Sequence, residues 1–286
     1  MRHSLPTSDF LLQTSCFKLQ TSDSQPPTSL LTDTHTHLYL PEFDADRHEA
    51  VKNAINAGVK RMFLPNIDSG SIQGMLELCQ AFPGKLFPMM GLHPCSVKEN
   101  YEEEAETVES YARRGGFIAI GEAGIDLYWD KTYIKEQFIA FERQIKLALE
   151  LSLPLVIHAR ESFAEIFCVL DAYRNSGLRG VFHSFTGGPA EAEKIKDYDF
   201  YYGINGIVTF KNSGLANTVR EISKDRILLE TDSPYLSPVP KRGKRNESLH
   251  LIYINEYLAK LFEVSPAEMA ALTEKNASEL FKPERL

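Results

Sequence analysis

At 286 residues the chain can hold one large domain or two small ones, and 43% hydrophobic residues is ordinary for a soluble globular core. No stretch approaches the roughly 18 uncharged apolar residues of a membrane helix, and no long apolar run follows the N-terminal basic residues, so a soluble, cytoplasmic protein is expected. A formal net charge of −8 excludes a globally basic nucleic-acid footprint: any polyanionic substrate must be drawn by a local patch or a bound metal.

Residues 1–29 are rich in Ser, Thr, Gln and Pro and carry few periodic apolar positions, which predicts a flexible extension. Two apolar islands there, Phe10 to Leu12 and Cys16 with Phe17, could dock on a surface. The four cysteines, Cys16, Cys79, Cys95 and Cys168, are scattered with no CxxC pair, and reduced thiols are expected.

From Leu30 onward short apolar runs alternate with longer amphipathic segments. Strands are predicted over 30–35, 61–65, 86–93, 117–122, 154–159, 180–184, 200–204 and 226–232. Helical periodicity falls between them over 45–58, 71–82, 104–114, 135–152, 164–176, 189–197 and 213–223, with terminal helices over 250–263 and 265–281. Eight strands with crossover helices in one chain predict a single (β/α)8 TIM barrel over residues 30–286. A doubly wound open sheet is the rival, but it would ordinarily have fewer strands, and no GxGxxG opens a helix.

The polar residues fall where such a barrel carries its chemistry, at the C-terminal ends of the strands. His35 and His37 leave the first strand two residues apart, so in extended chain they share a face. Glu122 follows the apolar run FIAIG, where a carboxylate is costly unless paired or bound to a cation, a need that a shared ligand of two metals meets. His158 and His183 each end an apolar strand. Asp232 closes LLETD and is expected to serve as ligand and general base, with Glu230 supporting it from behind. His93, in GLHP, is expected to face substrate or support a ligand rather than to ligate.

These residues sit in segments that together resemble the TatD family of metal-dependent deoxyribonucleases, within the amidohydrolase superfamily. The segments are DTHTHL (33–38), GLHP (91–94), GEAGID (121–126), PLVIHARES (154–162), HSFTGG (183–188), YGINGIVTFKN (202–212), LLETDSPYLSP (228–238) and RGKRNES (242–248). They run in order over about residues 31–283; the N-terminal extension has no counterpart, Cys95 stands where some relatives have His, and Ser184 where Cys is frequent. The resemblance implies a barrel hydrolase that cuts phosphodiester bonds in DNA, in several members a 3′ to 5′ exonuclease preferring single strands. It further implies two divalent ions, one held by His35, His37 and Asp232, the other by His158 and His183, with Glu122 between them.

Four imidazoles favour Zn, Mn, Fe or Co over Mg, whereas phosphoryl chemistry favours Mg or Mn. Arg160 and the loop KRGKR, through Arg242, Lys244 and Arg245, are the expected phosphate contacts. Tyr128, Trp129, Phe185, Phe210 and Tyr235 are candidates for stacking on unpaired bases. Two other readings stay open at this point: a barrel hydrolase of amides, lactones or carboxylic esters, and a metal-binding barrel without catalysis. Nothing in the sequence points to an oligomer, and a monomer is favoured.

Overall fold

The computed structural model describes residues 30–285; the extension predicted over 1–29 lies outside the described residues. Eight parallel strands appear in chain order: β1 Leu31–Asp33, β2 Val59–Pro65, β3 Leu86–Met89, β4 Ile120–Asp126, β5 Leu155–Arg160, β6 Arg179–Phe182, β7 Asp199–Ile204 and β8 Ile227–Leu229. Between them lie α1 Arg47–Asn56, α2 Ile72–Ala81, α3 Tyr101–Arg113, α4 Ile134–Leu151, α5 Phe163–Leu170, α6 Pro189–Ile195 and α7 Leu215–Arg220, followed by α8 Leu251–Leu261 and α9 Pro266–Phe281.

Strands β1 to β3 form one parallel ladder and β4 to β8 another. The seams between them are closed by a few backbone contacts: a parallel bridge joins Met90 to Ile120, and the Gly121 amide donates to the Met90 carbonyl at 2.9 Å. On the other side the Thr34 amide donates to the Leu229 carbonyl at 2.9 Å and the Asp232 amide to the His35 carbonyl at 2.9 Å. The sheet is therefore a closed barrel with no free edge.

Inside the barrel, Phe63, Met89, Val156, Val181, Tyr201 and Leu228 each come from a different strand and pack as one cluster. Ala277, Leu280 and Phe281 of α9 join it, with the Phe63 and Phe281 rings 4.9 Å apart, so the C-terminal helix plugs one end of the barrel. Pro266 opens α9 and Ser265 caps it: its hydroxyl accepts from the Glu268 amide at 3.2 Å while the Glu268 carboxylate accepts from the Ser265 amide at 2.8 Å. Arg61 of β2 pairs with Glu274 and donates to Ser278 at 2.7 Å, fixing the rotation of that helix. The larger core lies between barrel and outer helices, as in α4, whose buried Ala140, Phe141, Gln144, Ile145 and Ala148 recur at helical spacing.

The strand boundaries differ from the predicted ones in an informative way. β4 continues four residues past Glu122, and β1 and β8 end early, at Asp33 and Leu229. No described helix is long and apolar enough to cross a membrane, and Cys79, Cys95 and Cys168 are free.

Candidate metal centre

Opposite the α9 plug, the barrel mouth opens into a cavity of about 640 Å³ whose walls include His37, Glu122, His158, His183 and Asp232. Glu122 is at its centre. Its Oε2 is 3.0 Å from His35 Nε2 and 3.8 Å from His37 Nε2, while its Oε1 is 2.7 Å from His158 Nδ1, 3.5 Å from His93 Nε2 and 3.6 Å from His183 Nε2. Asp232 Oδ1 stands 3.4 Å from His37 Nε2 and 3.8 Å from His183 Nε2. Asp232 adopts a φ of 56° and Ser184, beside His183, a φ of 47°, left-handed conformations unusual for non-glycine residues that concentrate at functional sites.

The outward-facing nitrogens fix what the inward-facing ones can do. Tyr39 donates its single hydroxyl proton to the Pro65 carbonyl at 2.5 Å, so toward His37 Nδ1, 3.1 Å away, it can only accept. His37 therefore carries its proton on Nδ1 and turns a lone pair from Nε2 toward Asp232. His158 Nε2 lies 2.9 Å from Asp126 Oδ2, and His183 Nδ1 lies 3.0 Å from Glu230 Oε1, each leaving the other ring nitrogen to face Glu122. Lone pairs aimed at carboxylates repel unless a proton or cation lies between them. Imidazole backed by carboxylate is also the arrangement that orients metal ligands. His35, His37 and Asp232 converge within ligand distance of one another, as do His35, Glu122 and His183. This buried donor set fits divalent cations.

His93, Glu122 and His158 converge in the same way, but His93 differs chemically. Its Nδ1 accepts from the Cys95 amide at 3.0 Å, so the neutral ring bears its proton on Nε2 and offers the cavity a donor rather than a lone pair.

Electrostatics follow the geometry. Burial opposes ionisation of Glu122, yet the imidazoles of His183, His93 and His35 hold its carboxyl well below the usual range. For Asp232, burial is likewise outweighed by His183 and His37. The His35 and His183 rings stack with centroids 3.3 Å apart; burial and the neighbouring His183 push His35 down to about 3. Burial also disfavours charge on His183, but Glu230, Glu122 and Asp232 overcome it and raise its pKa to about 10. Burial raises the pKa of Glu230, which is seated by the Ser184 amide at 2.6 Å and by the bare backbone of Gly203, where a Cβ would come within 2.3 Å of its carboxylate.

Two residues here had no assigned role in the sequence. Asp126 ends β4 and, besides holding His158, accepts from the Tyr128 and Trp129 amides at 2.9 and 3.0 Å. Tyr39 continues the two-residue alternation of His35 and His37, which was the available signal. Of the expected phosphate contacts, Arg160 lines the cavity. Arg242, Lys244 and Arg245 do not: Arg245 grips Asp46 with two bonds of 2.7 Å and covers the Phe43 ring, and Arg242 lies 3.9 Å over Phe210. The two guanidinium groups of that loop meet acidic and aromatic partners that lie apart from them in sequence.

Residues 32–282 match the family described as TatD related DNase. The chain is 34% identical over 254 residues to an uncharacterized metal-dependent hydrolase, YabD, of Bacillus subtilis, covering 88% of this chain and 99% of that one. It is 34% identical over 258 residues to the 3′-5′ ssDNA/RNA exonuclease TatD of Pantoea vagans, covering 87% and 98%. Among solved structures, the TatD homolog YJJV of Escherichia coli superposes with a TM-score of 0.82 at 24% identity, covering 88% of this chain and 98% of that one, which supports the barrel fold. The chain belongs to the TatD-related family of metal-dependent hydrolases.

Proposed function

We propose that the protein hydrolyses phosphodiester bonds of single-stranded DNA, removing nucleotides from the 3′ end, with two divalent ions (Mg, Mn or Zn) at the barrel mouth. The observation that carries this reading is the cage around Glu122, in which ring nitrogens of His37, His158 and His183 converge on carboxylates in a cavity also walled by Arg160. The names of the relatives support the substrate and the direction.

In this reading His35, His37 and Asp232 hold one ion, His158 and His183 the other, and Glu122 is shared. Such ions supply charge neutralisation at phosphoryl oxygens and acidify water. Asp232, the most open of the carboxylates around the cage with its side chain 14% exposed, takes the proton of the attacking water. His93 donates from Nε2 to a phosphoryl oxygen, and Arg160, which lines the cavity, offsets phosphate charge. Asp126, Glu230 and Tyr39 hold the imidazoles in register from behind.

The test is digestion of a 5′-labelled single-stranded oligonucleotide with Mg, Mn, Zn or chelator, beside a Glu122→Ala control. Metal-dependent shortening from the 3′ end that the control lacks is the expected result. No cleavage by metal-loaded protein, with turnover of a lactone or carboxylic ester instead, would replace this reading with the carbonyl-hydrolase one.

A further inference from the structure

Two aromatic side chains follow β4 directly and are left largely uncovered by the fold. Trp129 is 66% exposed and Tyr128 also stands exposed, their rings meeting edge to face at 4.9 Å. An indole and a phenol ring held together at the surface offer a broad face on which another flat ring can stack. The pair is not a mobile tip: Asp126 Oδ1 accepts from both backbone amides at 2.9 and 3.0 Å, while the other oxygen of the same carboxylate holds His158 at 2.9 Å. One side chain thus fixes the aromatic pair relative to the reaction centre. Arg160, two residues beyond His158 on β5, lays its guanidinium 4.0 Å over the Tyr128 ring and 5.2 Å from that of Trp129. It has no ion pair among the described residues, and both Trp129 and Arg160 line the cavity.

A rigid aromatic face beside a free, flat cation at the rim of a phosphate-handling cavity suits a ligand with a π-face and an adjoining negative charge. We propose that Trp129, Tyr128 and Arg160 form a nucleobase-stacking site, which takes an unpaired base of the strand being cut while Arg160 contacts the phosphate attached to it. The site rests on the proposed nuclease reading and sharpens it. A base paired within a duplex has both faces covered by its neighbours, so only an unstacked nucleotide can use this wall. Any of the four bases fits, because stacking reads the π-face and not the hydrogen-bonding edge.

The test compares wild type, Trp129→Ala and Trp129→Phe on two short single strands, identical except that one carries abasic residues at its last two 3′ positions. Trp129 is exposed and the only tryptophan, so its replacement leaves the core intact and its emission reports this site alone. On the intact strand Trp129→Ala is expected to lose about 5- to 100-fold in kcat/KM, chiefly through KM, with Trp129→Phe recovering much of it. On the abasic strand the variants should match wild type. In wild type, a phosphorothioate oligothymidylate should quench the tryptophan emission saturably. Equal losses on both strands, or none on either, would overturn the stacking site while leaving the nuclease reading in place. Failure of wild type to cleave either strand would overturn the nuclease reading and the site with it.

Discussion

Replacing Tyr39 by Phe removes one oxygen from a buried position and changes little else in volume. That oxygen donates to the Pro65 carbonyl and accepts from His37 Nδ1. Its loss leaves two buried polar groups unpaired, each costing about 1–3 kcal/mol, offset in part by the desolvation of the hydroxyl itself. A net destabilisation of about 2 kcal/mol is expected, measured by denaturant unfolding of the metal-free protein. The more diagnostic effect is on the metal. Without Tyr39 the His37 proton is free to move to Nε2, the nitrogen aimed at Asp232 from 3.4 Å, and removal of such a supporting partner typically costs about 10- to 100-fold in metal affinity or activity. Competition with a chelating dye should show one class of ion weakened by that factor, and activity should return at saturating metal. Unchanged affinity at both ions would refute the argument that Tyr39 sets the tautomer of His37.

Other consequences are equally concrete. Gly203→Ala places a Cβ against the Glu230 carboxylate, and overpacking of about 1–3 kcal/mol together with weaker metal binding is expected in unfolding and metal titrations; a variant unaffected in both would show that Glu230 can move freely. In the metal-free protein His183, raised to about 10, holds a proton at pH 8 that an ion must displace. Metal uptake should therefore release a proton, and affinity should climb about tenfold per pH unit from pH 7 to 9; calorimetry in buffers of different ionisation enthalpy measures both. The same proton has the opposite effect on the metal-free fold: a folded-state pKa above the ordinary 6.5 contributes stability that is complete below about pH 6.5 and is lost as pH rises toward 10. Arg245→Ala should cost about 1 kcal/mol by breaking the half-exposed pair with Asp46, leaving KM for DNA unchanged; a raised KM would return that loop to the substrate site.

The rhythm of apolar runs and amphipathic segments was enough to read eight strands and their helices, because parallel strands buried on both faces show as continuous Val, Ile and Leu. The histidines and carboxylates were legible for the complementary reason: a polar residue ending such a run demands a partner. What the runs could not show was where the ladder stops. Polarity at Glu122 looked like a strand exit, yet β4 continues to Asp126 because Ala123 and Ile125 remain in register with β5. Asp126 was hidden by that misread boundary, and with it the anchoring of Tyr128 and Trp129. The pairing of Arg245 was out of reach for a different reason: its partner Asp46 lies 199 residues away, and a basic run by itself says nothing of the acid opposite it. Tautomers, too, are set by contacts that apolar patterning does not show, a tertiary one of Tyr39 with Pro65 and a local cap of Cys95 on His93.

Whether the cage around Glu122 holds two ions that together cut nucleic acid is decided by titrating Mn into metal-free protein while following bound metal and cleavage of single-stranded DNA in the same samples. Binding should saturate at two ions per chain, with cleavage rising as the second site fills and absent from Glu122→Ala. Full cleavage by chelator-treated protein, or none with two ions bound, would contradict it.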